Sequence, residues 1–164
     1  MIICRCPFKD SPYFCKYLCV NESRNRGWWI PGGAVDAGQS FSDAATRECI
    51  EEAGVEVDLK GVLKIDYSVQ GASESRMRVI FYAEPKSVEA AAAFKTVPDE
   101  ESLEGRWFSP QELVSLCRDK TTADKLRGRE MLHWASYIEK GGQIFPLSVI
   151  AGKAGQGEAF IIDK

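Results

Sequence analysis

The sequence predicts a layered α/β domain with helices on both sides of the strands. Segments with the β-branched and aromatic content of strands alternate with segments whose apolar residues recur at helical spacing. At 164 residues, with 45% hydrophobic and 27% charged residues, the chain is large enough to bury one core. We therefore expect a single domain over residues 1–164, in which the role of the tail 143–164 is open.

The first part of the chain predicts three strands. Residues 1–6 and 13–20 have strand composition, and the segment between them, 7–12, contains two prolines and other turn formers. A polar loop over 21–26 then leads into a short strand at 27–31, which carries two tryptophans.

A helix is predicted after the Gly32-Gly33 pair, whose backbone adopts angles that other residues avoid. Ser40 and Asp43 have the spacing of a capping box at its start, and Gly54 is well placed to end it in a left-handed conformation. One apolar stripe runs along this helix with a repeat of four residues. Its members are Phe41, Ala45 and Cys49.

The middle of the chain predicts more strands. Residues 55–69 and 77–82 have strand composition, with a turn at 71–75 between them. The segment 88–93 fits either a short helix or a loop, and 105–108 is a brief strand.

The last part of the chain predicts two helices and a mixed tail. Pro110 marks the first position of a helix that runs to about Cys117, and a longer helix covers 122–139. In the tail, strands are expected at 144–150 and 159–162.

Three carboxylates share one face of the predicted helix that starts after Ser40. Glu48, Glu51 and Glu52 are three and four residues apart, so their like charges destabilise the helix. A hard divalent cation with oxygen ligands would offset this repulsion. A solvated acidic helix face is the alternative, since runs of charge are commonly exposed.

The composition limits the classes of ligand that the chain is expected to bind and its expected location in the cell. The formal charge of −3 and the absence of a basic block argue against long RNA or DNA, although a metal ion would still allow a small phosphorylated ligand. No apolar run is long enough for a bilayer, and no signal peptide is recognisable, so we expect a cytoplasmic protein without a membrane partner. Reduced thiols are expected for the cysteines. They are Cys4, Cys6, Cys15, Cys19, Cys49 and Cys117.

The stretch 33–55 closely resembles the signature of the Nudix hydrolases, G-x5-E-x7-R-E-U-x-E-E-x-G-U, where U is a bulky aliphatic residue. Matching positions are Gly33, Arg47, Glu48, Glu51, Glu52, Gly54 and Val55. This many fixed positions favours the metal interpretation over the solvated face. The resemblance implies an α/β/α sandwich with a mixed central sheet.

The resemblance also implies a metal-dependent pyrophosphohydrolase. Its substrate would be a small nucleoside diphosphate derivative, and its cofactor Mg²⁺ or Mn²⁺. By family analogy the metal ligands would be Glu48, Glu51, Glu52 and the Gly32 carbonyl. Arg47 would fix Glu51 by an ion pair. The base that activates water would be Glu48 or a glutamate of the acidic loop, Glu100 or Glu101, for which simple solvent exposure is the alternative.

Two positions depart from the signature. Gln39 stands where the family has its first glutamate, so it keeps an acceptor oxygen but loses the charge. Cys49 replaces a bulky aliphatic residue and can still pack. The change at Gln39 leaves two interpretations open: an enzyme with altered metal binding, and a non-catalytic nucleotide-binding or regulatory module.

Substrate binding is assigned to residues outside the signature. Trp28 or Trp29 could stack on a nucleobase, although core packing is the favoured role for either ring. Arg76 and Arg78 share a strand face and could bind phosphate, or else form an exposed edge pair. A diphosphoinositol is an alternative substrate that calls for a more basic pocket. Family analogy also allows a homodimer.

Overall fold

The computed structural model of the protein describes residues 1–118 and 125–150. It contains six strands and four α-helices within these ranges. The strands are β1 (Ile2–Cys4), β2 (Tyr17–Glu22), β3 (Gly27–Trp29), β4 (Val57–Gln70), β5 (Glu74–Pro85) and β6 (Ser102–Phe108). The helices are α1 (Phe41–Ala53), α2 (Val88–Ala92), α3 (Pro110–Arg118) and α4 (Glu130–Glu139), followed by a 3₁₀ turn at Leu147–Val149. None of these helices is long and apolar enough to cross a membrane.

The strands form two three-stranded sheets. In the first, the order is β1-β5-β4, with β1 parallel and β4 antiparallel to β5. In the second, the order is β3-β2-β6 and all neighbours are antiparallel. The two sheets join where Cys6 donates its N–H to the Lys16 carbonyl at 3.0 Å and accepts from the Cys15 N–H at 2.9 Å. The expected α/β fold is confirmed, with the central layer divided into two sheets of which one is mixed.

Side chains that alternate along the strands fill two cores, one on each face. Ile2 and Phe81 pack in the core beneath α1, together with Cys49 of that helix. Ile3 and Ile80 point the other way and join a second core. Helices α3 and α4 close this second core with Leu113, Met131 and Trp134. The strands are therefore covered by helices on both faces, as the sequence predicts.

Helix α1 has the ends that the sequence predicts. The Ser40 hydroxyl accepts from the Asp43 N–H at 3.1 Å, and Gly54 ends the helix with a φ of 74°. The Asp43 carboxylate receives its hydrogen bond from the Ser40 hydroxyl, at 2.7 Å. Ala45 and Cys49 of the predicted stripe are buried. The helix is thus held at both ends and along one face, so its glutamates project from a fixed frame.

Two predicted elements begin later than expected. The second strand starts at Tyr17 rather than residue 13, because residues 11–16 form a turn and the Tyr13 ring stacks on Trp107. The last helix starts at Glu130 rather than residue 122. The stretch 125–127, called the strap below, instead pairs with the edge of β3. Residues 119–124 lie outside the described residues.

The expected strand at 144–150 is reduced to one bridge. Phe145 exchanges two backbone hydrogen bonds with Val62, at 2.8 and 2.9 Å, and the 3₁₀ turn follows. Proline at position 146 ends the ladder because it has no N–H to donate. The strand expected at 159–162 lies outside the described residues. The segment 88–93, for which two structures were open, contains α2.

Candidate active site

A glycine turn brings the backbone against the carboxylates of α1. The Gly32 N–H donates to Oε2 of Glu52 at 2.7 Å. A Cβ at Gly33 would lie 2.3 Å from Oε1 of Glu48, so a side chain there would displace this carboxylate. The packing of this turn on the capped helix places both carboxylates beside main-chain atoms.

Arg47 ties the glutamates of α1 to the loop before the helix. Its guanidinium lies 2.6 Å from Oε2 of Glu51 and 2.9 Å from Oε1 of Glu48. It also donates to the Ala34 carbonyl at 3.3 Å and pairs with Asp36 at 3.3 Å. The ion pair expected between Arg47 and Glu51 is therefore present, and Arg47 acts on the site through the carboxylates that it holds.

A cavity of about 480 Å³ opens beside these carboxylates. Acidic side chains of α1 and β2 line it together with basic side chains of β5, the strap and the turn between β2 and β3. The acidic ones, called the acidic wall, are Glu22, Glu48 and Glu52. The basic ones are Arg26, Arg76, Arg78 and Arg127, of which Arg76 and Arg78 of β5 are called the basic wall. The cavity thus offers carboxylates for a cation and guanidinium groups for phosphate.

The two carboxylates of α1 in this cavity are partly buried, and burial changes their acidity. Burial raises the pKa of Glu52 to about 7, and the hydrogen bond from Gly32 only partly opposes this. Burial also raises the pKa of Glu48, while the charge of Arg47 acts in the opposite direction. The charge of Glu48 further raises the pKa of Glu52, and the charges of Glu51 and Glu101 raise that of Glu48. The site would therefore gain from a positive charge, supplied by a proton or a cation.

A smaller acidic pocket of about 230 Å³ adjoins the same carboxylates. Five glutamates line it, namely Glu22, Glu48, Glu52, Glu100 and Glu101. The structure thus brings the predicted acidic loop beside α1. Asp99 holds this loop, since it accepts from the Glu101 N–H at 2.9 Å and from Lys95. Lys95 also donates to the Glu51 carbonyl at 3.2 Å, which ties the loop to the helix.

The donor set fits a hard divalent cation. The acidic pocket offers carboxylate oxygens from β2, α1 and the loop, and oxygen is the ligand that Mg²⁺ and Mn²⁺ prefer. Glu51 is turned to Arg47, and Gly32 directs its N–H at Glu52. Within the described ranges, no three His, Cys, Asp or Glu side chains are already grouped as a metal site. A cation would therefore have to draw the carboxylates together against their mutual repulsion.

The predicted substrate residues fall into two groups. Arg76 and Arg78 both line the cavity, and Arg78 is held by Asp66 at 2.9 Å. The structure contradicts a substrate-binding role for Trp28, because its ring is fully buried and packs edge-on against Phe108, with the ring centres 4.8 Å apart. It cannot stack on a ligand without leaving the core. Trp29 instead lines a recess of about 150 Å³ that adjoins the arginines.

Comparison with known proteins decides the family. The model of the NUDIX domain matches residues 15–135, and this range contains the whole signature stretch. The chain belongs to the Nudix family. A Nudix relative from Caenorhabditis elegans is 32% identical over 118 residues, which cover 70% of this chain and 28% of the relative.

Two further Nudix proteins are similar to the chain. The human 8-oxo-dGDP phosphatase NUDT18 is 29% identical over 121 residues, covering 71% of this chain and 32% of that protein. The chain thus matches about a third of the length of these curated Nudix relatives. A solved Nudix hydrolase from Nitrosomonas europaea has a TM-score of 0.66 at 21% identity and covers 94% of this chain and 96% of its own. This last likeness concerns the Nudix fold.

Residues outside the Nudix signature complete the cleft, and sequence reasoning did not select them. Glu22 ends β2, and Arg127 lies in the strap, yet the Nη1 of Arg127 is 2.6 Å from Oε1 of Glu22. A glutamate at the end of an apolar strand was a visible signal for Glu22. Arg127 had no such signal, because its place depends on pairing between the strap and β3.

Proposed function

We propose that this chain is a metal-dependent hydrolase that cleaves the diphosphate linkage of a small nucleoside diphosphate derivative. The observation that carries the proposal is the shared cavity, where Glu48 and Glu52 lie with Arg76 and Arg78. A diphosphate bridge has two requirements, a cation on its charged oxygens and donors that hold them. Carboxylates that would hold the cation and guanidinium groups that would hold the phosphates line one space of about 480 Å³.

The cation in this proposal is Mg²⁺ or Mn²⁺, held by Glu48 and Glu52. Glu51 and the Gly32 carbonyl complete the set that family resemblance implies. When bound, such an ion neutralises phosphate charge and lowers the pKa of a coordinated water. Arg47 holds the carboxylates of Glu48 and Glu51 in place through its ion pairs, which makes it a positioning residue.

Substrate contacts in the proposal come from the strand side of the cleft. Arg76 and Arg78 donate to phosphate oxygens, and Asp66 orients the second of them. The recess beside Trp29, bounded by Gly128 and Glu130, receives the part of the substrate beyond the diphosphate. An aromatic side chain there supports a nucleoside as this part.

The proton from the attacking water passes to a carboxylate of the acidic pocket. Glu101 is our candidate for this base, since it lines the pocket and is exposed. Glu48 is the second candidate, but its Oε1 accepts from Arg47 at 2.9 Å and is less available for a proton. Glu101→Gln therefore lowers kcat more than it changes KM under this assignment.

The substrate class is proposed from chemistry and from the relatives together. One relative is named for action on 8-oxo-dGDP, which supports a nucleotide. The four arginines of the cavity also suit a more heavily phosphorylated molecule, so a diphosphoinositol is a second candidate. A long nucleic acid is not part of the proposal, because the chain carries a net charge of −3. A cytoplasmic location and a homodimer stay predictions.

The experiment is a substrate panel with Mg²⁺ or Mn²⁺, in which phosphate and nucleotide release are measured. The panel contains nucleoside di- and triphosphates, sugar nucleotides, ADP-ribose, NADH, dinucleoside polyphosphates and diphosphoinositols. Turnover of one class is expected, with a loss on the order of a hundredfold or more in Glu52→Gln. The matched control is Glu56→Gln, which lies beyond the end of α1, where the carboxylate is exposed and pairs with Lys86. Absence of metal-dependent release from folded protein would overturn the proposal.

A non-catalytic binding module is the competing function, and Gln39 motivates it. The Gln39 side-chain oxygen accepts from the Asp36 N–H at 3.4 Å and faces Arg47 at 3.5 Å. It therefore acts on the loop and on Arg47, and its missing charge leaves the carboxylates of the cleft in place. Gln39→Glu separates the two functions. A change in an existing turnover supports the enzyme, whereas ligand binding without turnover in both forms supports the module.

A further inference from the structure

Glu22 is a buried carboxylate that the proposed hydrolase has not yet used. It is the last residue of β2, and only 9% of its surface is exposed. Its Oε1 accepts from Nη1 of Arg127 at 2.6 Å. Its Oε2 is buried and has no hydrogen-bond partner among the described residues. One half of the carboxylate is therefore neutralised, and the other half is not.

An unpartnered carboxylate oxygen in such a place is costly. A charged oxygen that has lost its contact with water and has no partner in the protein destabilises the folded state. Glu22 is also surrounded by like charge, because it lines the pocket that contains Glu48, Glu52, Glu100 and Glu101. Arg24 and Arg26 also line this pocket, so it holds positive charge besides that of Arg127. Oε2 of Glu22 nevertheless has no hydrogen-bond partner among the described residues, and a further positive group at this oxygen would stabilise the arrangement.

We infer that Oε2 of Glu22 is a ligand for a divalent cation that it shares with Glu52 in the acidic pocket. The inference rests on the proposed function and adds a carboxylate from outside the signature to the metal site. A cation suits this oxygen better than an N–H donor does, because several carboxylates meet around one space of about 230 Å³. Glu22 comes from a strand, so the cation joins β2 to α1.

Arg127 sets the position of this ligand. Its guanidinium lies 5.9 Å from the ring centre of Trp29, and its backbone N–H donates to the Trp28 carbonyl at 2.9 Å. The side chain is thus held on both sides while it binds Oε1 of Glu22. Arg127 also competes with the cation for the charge of Glu22. Loss of Arg127 and loss of the Glu22 charge therefore have opposite effects on cation affinity.

The experiment measures Mn²⁺ binding to the full chain by titration calorimetry and electron paramagnetic resonance, without substrate. Glu22→Gln keeps the shape and the oxygen that faces Arg127, so the fold is preserved. We expect its Mn²⁺ affinity to fall about tenfold or more, in the range seen when one group of a metal site is lost. The matched control is Glu104→Gln, a residue of neighbouring β6 whose carboxylate pairs with Arg106 outside the pocket. Its affinity is expected to equal that of the parent.

Two results would overturn the inference. The first is parent affinity in Glu22→Gln together with lost affinity in Glu52→Gln, which leaves the proposed hydrolase intact and removes Glu22 from the site. The second is an equal fall in Glu22→Gln and Arg127→Met, which assigns to Glu22 only the anchoring of Arg127. Thermal unfolding of each variant in chelator confirms that it is folded. Failure of the hydrolase itself is recognised separately, from the absence of turnover in the substrate panel.

Discussion

The acidic and basic walls of the cleft are built in different ways. The acidic wall lies mainly on α1, where the Gly32 N–H and the ion pairs of Arg47 hold the carboxylates. The basic wall extends from the outer half of the β4–β5 hairpin, where Tyr67 is 68% exposed. A buried, cross-linked segment is preorganised, whereas an exposed hairpin opens and shifts at low cost. Under the proposed function, the metal ligands therefore lie on the rigid part of the molecule and the phosphate-binding arginines on the adaptable part.

The largest effect is expected from a variant that loosens the acidic wall, because this wall is the preorganised one. Arg47→Lys keeps the charge but removes the planar fork that binds Glu48, Glu51 and the Ala34 carbonyl together. We expect turnover and Mn²⁺ affinity each to fall by roughly 10–100-fold, the range found for groups that orient metal ligands. Measured values of kcat and the Mn²⁺ Kd test this. Arg5→Lys is the control, because Arg5 pairs with Glu139 away from the cleft. Unchanged metal affinity in Arg47→Lys would contradict the claim that Arg47 preorganises the acidic wall.

A change in the basic wall should affect KM rather than kcat. Arg78→Met removes a guanidinium that lines the cavity, and we expect KM to rise by about tenfold while kcat changes less than about threefold. Lys64→Met is a matched control, since Lys64 pairs with the same Asp66 at 2.7 Å. A similar rise in KM for both variants would show that Arg78 acts through Asp66. A fall in kcat at constant KM would instead give the basic wall a part in the chemical step.

The smallest effect concerns stability against pH. In chelator, the partly buried Glu52 has a pKa of about 7, raised from 4.5 mainly by burial. The folded state therefore binds a proton more tightly than the unfolded state, so this stabilising contribution is complete below pH 4.5 and is lost as the pH rises through 7.

The parent should consequently lose a few °C of Tm between pH 5 and 8 relative to Glu52→Gln, which has no proton to lose there. Thermal unfolding of both proteins across this range tests the prediction. Parallel curves would mean that the acidic wall is less buried than the structure has it. Arg78 and Arg76 stay charged throughout, so variants of the basic wall should follow the parent curve.

Predictability differs between the two ends of the chain for a physical reason. Helix α1 was predicted from Ser40 to Gly54 because its caps and apolar stripe are set by residues three or four positions apart. The last helix was predicted eight residues too early. Its expected start is near the strap, where Lys125 accepts from the Trp28 N–H at 2.7 Å. A strand edge almost a hundred residues away in the chain outweighed the local preference for helix.

The sequence by itself determined the family, the glycine turn, and the helix that carries Arg47, Glu48, Glu51 and Glu52. These depend on hydrogen bonds and packing between near neighbours, which a spacing pattern records. Tertiary structure alone decided that Trp28 and Trp29 are both buried in the core, that Trp29 also borders a recess, and that Glu22 meets Arg127. Burial and long-range ion pairs depend on which segments cover a strand, and no local pattern contains that information.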